Sequence, residues 1–437
     1  MAYWCIDPVS GSDGTGSSQA TQAAAEATPF ATFVTGVRPS YAAGDTVLFK
    51  GGTTASEVIT NNKDNTTFSS YGTGRATIAG DGATAWSVSL NGTGVTVENL
   101  NITGGTTRAC IAQLGSDYCT IRNCDIYEGA FDGLIVNTSS NVTVENVNVY
   151  NNPRYGFRAE GSGSNESGLI VRNSKFYNNG SSETVPDNFD GFFIGNGHIG
   201  FIVEDCQAYN NGALGIGFNF DFSAGSGGED CIGVVRRCYA HTGYGGFGVS
   251  GTDAGITNTN DVTIENCISL SHVRGNYETH GCGNMKLYNC YSGGPVPDGV
   301  LTNAAQVKLG DTTIGATTEI VNTIIEANEY PHAIAYDPTY TTLTSKNNCI
   351  VSGTLGISRN DTTSRTFSEY VSDVSDTGSI SSDPLLDDNG FPASTSPCLN
   401  AGAAPLSQYD AYSRPNYGNH IGAVWPKINT SKTRRSF

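Results

Sequence analysis

Methionine is almost missing from this chain, with 2 in 437 residues, and tryptophan (3) and histidine (6) are scarce. No heptads and no helical stripe of apolar residues recur, which excludes a helical bundle or coiled coil. Basic charge is also short. There are 23 Lys and Arg against 41 Asp and Glu, a formal net charge of −18, so non-specific association with nucleic acid or an anionic membrane is disfavoured. No apolar run approaches the ~20 residues that cross a bilayer, so membrane insertion is not expected. The opening Met1-Ala-Tyr-Trp-Cys-Ile-Asp-Pro8 has neither a basic nor an apolar leader region, so no secretory signal is expected, through cytoplasmic synthesis or through prior removal. Cys and His pairs do not recur at metal-ligand spacing, and no metal site is assigned.

What is present is repetition. Alternating apolar residues followed by Asn or a polar substitute return ten times, with the anchors at Asn99, Asn123, Asn146, Asn173, Asp205, Arg237, Asn266, Asn289, Asn322 and Asn348. The intervals are 24, 23, 27, 32, 32, 29, 23, 33 and 26 residues. A strand-like period in that range predicts the stacked coils of a solenoid. The gaps are rich in Asn, Gly, Ser and Thr, which is turn chemistry repeated many times. The anchors are expected to ladder through their side-chain amides and to satisfy turn groups.

A second strand follows each anchor, as in Asp132-Gly-Leu-Ile-Val136, Tyr155-Gly-Phe-Arg-Ala-Glu160, Asp190-Gly-Phe-Phe-Ile194, Leu214-Gly-Ile-Gly-Phe218 and Gly246-Phe-Gly-Val249, where Gly permits the bend between sheets. Six of the twelve cysteines (124, 206, 238, 267, 290 and 349) directly follow an anchor. In-register strands about 4.8 Å apart suit a row of buried free thiols better than disulfides. The expected organisation is an N-terminal cap over residues 1–45, a solenoid over 46–400, and a closing segment with a basic tail over 401–437. The Ala-rich run and Thr28-Pro-Phe-Ala-Thr-Phe33 suggest a short helix that shields the first coil's edge.

The opening Asp7-Pro-Val-Ser-Gly-Ser-Asp-Gly-Thr-Gly16, Thr28 to Phe33 and Ala43-Gly-Asp-Thr-Val47, with the ending Ser396-Pro-Cys-Leu-Asn-Ala-Gly402 and Ile421-Gly-Ala423, resembles the right-handed parallel β-helix superfamily, the pectate-lyase-like group. The resemblance implies an all-β solenoid of ten or more coils and a carbohydrate partner lying along one long face. The fold carries lyases, hydrolases, epimerases, phage tailspikes and adhesins, so activity has to come from particular residues. Tyr155-Gly-Phe157 is similar to the start of the Tyr-Gly-Phe-Asp-Pro-His motif of mannuronan epimerases, but Arg158-Ala-Glu160 replaces its last three residues.

Aligned second strands put Asp132, Tyr155 and Asp190 in one row, with Arg274 further along it and Arg154, Arg158, Glu160 and Asp187 around it. Two coils would separate the carboxylates by about 9–10 Å, near the upper range for an inverting glycosidase. Capping of turns before Gly is the plain alternative for either Asp. The candidate catalytic set is Asp132, Asp190, Tyr155 and Arg158. Candidate substrate contacts are Arg154, Glu160, Asp187, Tyr244, His272, Arg274 and Tyr277. His241, Glu278 and His280 join the last group in a second cluster, for which ordinary loop positions are the alternative. No cofactor is required; Asp221, Glu229 and Asp230 offer oxygen ligands for Ca²⁺, although a solvated acidic loop accounts for them. The longest gaps, Asp205 to Asn266, are expected to wall a groove.

These residues predict a polysaccharide-binding and polysaccharide-degrading protein that uses paired carboxylates. The expected setting is a phage tailspike or depolymerase, homotrimeric and joined to other virion proteins. The alternatives are a secreted lyase using Arg and Tyr, and a non-catalytic structural or adhesive virion component.

Overall fold

The computed structural model describes residues 1–112, 116–161, 166–181, 190–195, 197–212, 216–220, 230–250, 260–280, 283–295, 304–310, 316–328, 330–339, 341–351, 356–359, 363–386, 392–399 and 401–402. Each coil runs through three short strands. The first strands stack into one parallel sheet, thirteen in sequence order from Tyr3–Ile6 to Thr341–Lys346. Twelve spacings of ~4.8 Å give an axis of about 58 Å, longer than ten coils would give. The stack therefore begins at Tyr3, inside the segment expected to be cap. The helix there occupies the Ala-rich run, Gln22–Ala27, and is started by Thr21, whose side chain accepts from the Ala24 amide.

The second and third strands form two further parallel stacks, separated by a corner. In two coils the corner is spanned by single long strands, Tyr239–Ser250 and Ile268–His280, which join both stacks into one hydrogen-bonded sheet. Inward rows fill the solenoid. One is Phe68, Val97, Ile121, Val144, Val171, Val203, Val235, Ile264, Leu287 and Ile320, in register through the first stack and fully buried. In the third stack Phe157 lies on Phe192 at 4.7 Å, and Phe247 on Tyr277 at 5.2 Å, both nearly parallel.

The recurring anchor is a corner residue. Asn99, Asn123, Asn146, Asn173, Asp205, Arg237, Asn266, Asn289, Asn322 and Asn347 all have φ of 53–55°, the left-handed region that Asn tolerates. The last anchor is thus Asn347, one residue earlier than the spacing suggested. Asn348 takes the buried place that Cys124, Cys206, Cys238, Cys267 and Cys290 hold in other coils, so Cys349 stands outside that row. Those five thiols are free and buried, and each donates to carbonyls, as Cys206 does to Glu204 O at 3.2 Å.

The continuous amide ladder lies at the second corner. Asn152 Nδ2 donates to Asn179 Oδ1 (2.9 Å), and Asn179 Nδ2 donates to Asn211 Oδ1 (3.1 Å). The same oxygens accept from the Asn152 and Asn179 main-chain amides. At the first corner Asn146 bonds Asn123 (2.7 Å), but Arg237 grips Asp205 and Glu204 instead. The ladder explains the glycine of three second-strand phrases. A Cβ at Gly133, Gly156 or Gly191 would lie 2.6, 2.5 or 2.0 Å from the Nδ2 of Asn152, Asn179 or Asn211. Close approach, rather than the bend alone, requires Gly there.

Candidate functional site

Just after the second corner, the third stack starts with a row that stands two residues before the inward row of Leu134, Phe157 and Phe192. Pairing puts Arg108 opposite Asp132. Continuing the registers Leu134–Phe157 and Phe157–Phe192 by two residues adds Tyr155 and Asp190. Asp132 and Asp190 lie two strand spacings apart, about 9–10 Å. Both are buried.

Asp132 does not cap its own turn. Its Oδ1 accepts from the Tyr155 amide of the next coil (3.3 Å) and lies 3.0 Å from Arg154 Nε. Its Oδ2 is 3.9 Å from Arg108 Nε. Burial pushes the Asp132 carboxyl above its ordinary value, and the pull of Arg154 and Arg158 in the other direction does not offset it. The guanidiniums of Arg154 and Arg158 sit 5.3 and 5.2 Å from the Tyr155 ring centre. Burial, with Asp190 nearby, holds the Tyr155 phenol above its ordinary pKa. Arg158 also pairs with Glu160. The three arginine side chains remain 22–30% exposed, so the solvent-facing part of the site is cationic and aromatic, with the carboxylates beneath.

The row continues toward the N-terminal end through Trp86, the partner of Arg108. There it meets a cleft of about 670 Å³ whose lining includes Thr35, Arg38, Thr54, Ser56, Thr60 and Thr84. Hydroxyls share that wall with Glu57, Asp81 and small apolar side chains. Glu57 accepts from the Phe33 and Val34 amides and holds the short helix Phe33–Val37 in place.

Several expected contacts are dispersed. Tyr277 points into the core, fully buried, and donates to Cys267 O (3.0 Å), because its position shares the inward row of Phe247. It cannot touch a ligand on the outer face. His272 is also fully buried, and burial lowers its pKa to about 4. Gly275 rather than Arg274 occupies the row position, three spacings or about 14 Å beyond Asp190. Arg274 pairs with Glu278 at 3.0 Å and does not join Asp132. Tyr244 is half-buried, and His241 ends a stack of tyrosine rings. Asp187, Asp221, Glu229 and the longest insertions lie outside the described residues, as does the side chain of His280.

The sequence reading missed Arg108, the third arginine at Asp132, although it precedes Asp132 by one 24-residue coil. It also missed two buried residues, His332, which continues the row through Gly275 and Ala305, and Lys308, which faces the other side of its strand. Lys308 pairs in register with Glu278, and His332 with Ala305. A neighbour two coils away is not visible without the register. Among the described residues no group of three or more His, Cys, Asp or Glu is placed to hold a metal ion.

Residues 44–183 match the family described as right handed beta helix region. The chain is a right-handed parallel β-helix. This β-helix superposes on the complex structure of XylC with xylose at a TM-score of 0.62 and 8% identity, covering 97% of this chain and 98% of that one. It superposes on the Dettilon tailspike protein at a TM-score of 0.52 and 10% identity, covering 72% of this chain and 62% of that one. No curated protein sequence matches it.

Proposed function

We propose that this β-helix binds a polysaccharide along the second-corner edge of its third stack, from the cleft to Asp190, and cleaves it there. One observation carries the reading: Arg108, Arg154 and Arg158 converge on a single Asp and Tyr in a row that is continuous with that cleft. Accessible guanidiniums around an aromatic ring suit a sugar bearing a carboxylate, which Arg binds in a bidentate manner. The local arginines lie within a Debye length of such a ligand, so they outweigh the distant acidic surface.

Two chemistries have groups in place. In elimination, an arginine neutralises the uronate carboxylate, Asp190 takes the proton at C5, and Tyr155, kept protonated by burial, donates to the departing C4 oxygen as the C4–C5 double bond forms. In hydrolysis, Asp132, whose raised pKa favours the acid form, protonates that oxygen while Asp190 activates water. Hydrolysis needs both buried carboxylates and elimination only one, beside the more accessible Tyr155 and arginines, which favours elimination. Likeness to a tailspike supports a virion setting, with secretion the alternative; a homotrimer is part of the virion reading.

Purified protein is incubated with capsular, lipopolysaccharide and algal glycans, with reducing ends and the absorbance of unsaturated uronate both followed. Elimination predicts absorbance that Tyr155→Phe abolishes and Arg154→Gln weakens through KM. Reducing ends alone, lost in Asp132→Asn, replace elimination with hydrolysis. No product and no binding to any glycan by the folded protein overturns the proposal.

A further inference from the structure

The outer face of the second stack changes character along its length. In its early coils the row holds Asp125, Asn148, Lys175 and Gln207, all polar and part-exposed. From Tyr239 onward the same row becomes Ile268, Tyr291, Ile324 and Cys349. An apolar strip on an outer face needs a cover. Here the C-terminal segment supplies it: Ile380, Leu386, Cys398 and Ala401 pack on the strip as a cluster separate from the solenoid core. Main-chain bonds guide the segment, from Ile350 N to Ile380 O (2.9 Å) and from Ile380 N to Asn348 O (2.8 Å). Asn347 Nδ2 adds a bond to Ala401 O at 3.1 Å.

Within this cluster two cysteines face each other across the boundary. Cys349 belongs to the strip and Cys398 to the cover, and both are fully buried. Both sit in one small buried cluster, where Cys349 Sγ also donates to Ser382 O at 3.2 Å. The corner thiols instead lie within the solenoid core, stacked along the axis. We propose that Cys349 and Cys398 are a disulfide-forming pair, a covalent latch that fixes the C-terminal segment over the apolar strip.

The oxidant is a low-molecular-weight disulfide such as oxidised glutathione. The neighbouring Cys349 thiol lowers the Cys398 thiol, so Cys398 is the attacking thiolate. It displaces one glutathione thiolate and forms a mixed disulfide. Cys349 then loses its proton, attacks the Cys398 sulfur and expels the second glutathione. Two protein thiols are oxidised and one small disulfide is reduced to two thiols. Because both sulfurs are buried, the segment has to lift for the first step and settle back for the second.

The full chain is incubated with oxidised glutathione in urea below its unfolding midpoint, quenched by alkylation in acid-denatured form, digested without reductant and mapped by mass spectrometry. The expected product is a peptide pair joining Cys349 and Cys398, lighter by two hydrogens than the reduced pair. It resists reduction more strongly than glutathione mixed disulfides do, and it slows proteolysis of the C-terminal segment. Cys349→Ala and Cys398→Ala each remove the linked peptide. The proposal is overturned by alkylated, reduced Cys349 and Cys398 after prolonged exchange with native circular dichroism retained. It is equally overturned by a mixed disulfide that never closes, or by a link from either residue to another cysteine. Glycan cleavage is measured separately, so this result leaves the carbohydrate reading untouched.

Discussion

Burial of His198 makes a quantitative acid-stability prediction. His198 opens the strand His198–Glu204, is buried, and neither ring nitrogen has a hydrogen-bond partner. Burial lowers its pKa from 6.5 to about 4. In the unfolded chain the imidazole takes up a proton near 6.5, whereas the folded protein refuses it until about 4, so stability falls as pH drops through that window. At 1.36 kcal/mol per unit, the loss at pH 5 is about 2 kcal/mol. Other groups titrate nearby: His272 works in the same direction, while the raised carboxyls of Glu57, Glu265 and Glu326 oppose it. A comparison of wild type with His198→Leu cancels them. Urea midpoints followed by circular dichroism at pH 7.5, 6.5, 5.5 and 5.0 should show wild type losing about 2 kcal/mol relative to the variant by pH 5. Parallel curves across the range would refute the assignment of His198 as a buried neutral imidazole.

Three further outcomes are expected. Gly191→Ala, whose Cβ would sit 2.0 Å from Asn211 Nδ2, should destabilise by about 1–3 kcal/mol and weaken glycan turnover by shifting Asp190; an unchanged urea midpoint would contradict the amide-ladder account. Tyr150 stacks between Tyr127 (5.1 Å) and Tyr177 (5.0 Å), so Tyr150→Ser should lose two ring contacts and about 1–3 kcal/mol by chemical denaturation. Burial pushes the Cys124 and Cys290 thiols up to about 12, so neither should react with a thiol reagent at pH 8 until denaturant is added; rapid labelling of native protein would place them at the surface.

The solenoid was legible because its signal is local and repeated. Each coil carries apolar alternation ending in a residue that tolerates positive φ, and Asn supplies that residue in most coils. The residue before Gly in each second-strand phrase brought Asp132, Tyr155 and Asp190 into one row, although they follow Asn123, Asn146 and Asn173 by 9, 9 and 17 residues. Where several residues intervene between corner and strand, the reading slipped. Asn348 was taken for the anchor because two asparagines adjoin, and only backbone geometry distinguishes Asn347. Tyr277 was placed on the surface because its inward facing depends on the bulge-like register shift between Gly243 and Gly245, which no local pattern announces.

The sequence by itself determined the class of fold, the corner residues and the carboxylate row, all of which follow from period and residue type. Only the tertiary structure decided which side chains meet across coils. It enclosed Asp132 among three arginines and laid an asparagine ladder beneath Gly133, Gly156 and Gly191. It also folded Cys398 back onto Cys349. Those contacts join residues one or more coils apart, or at opposite ends of a returning segment, and their distances depend on stacking of the whole solenoid rather than on any local run of residues.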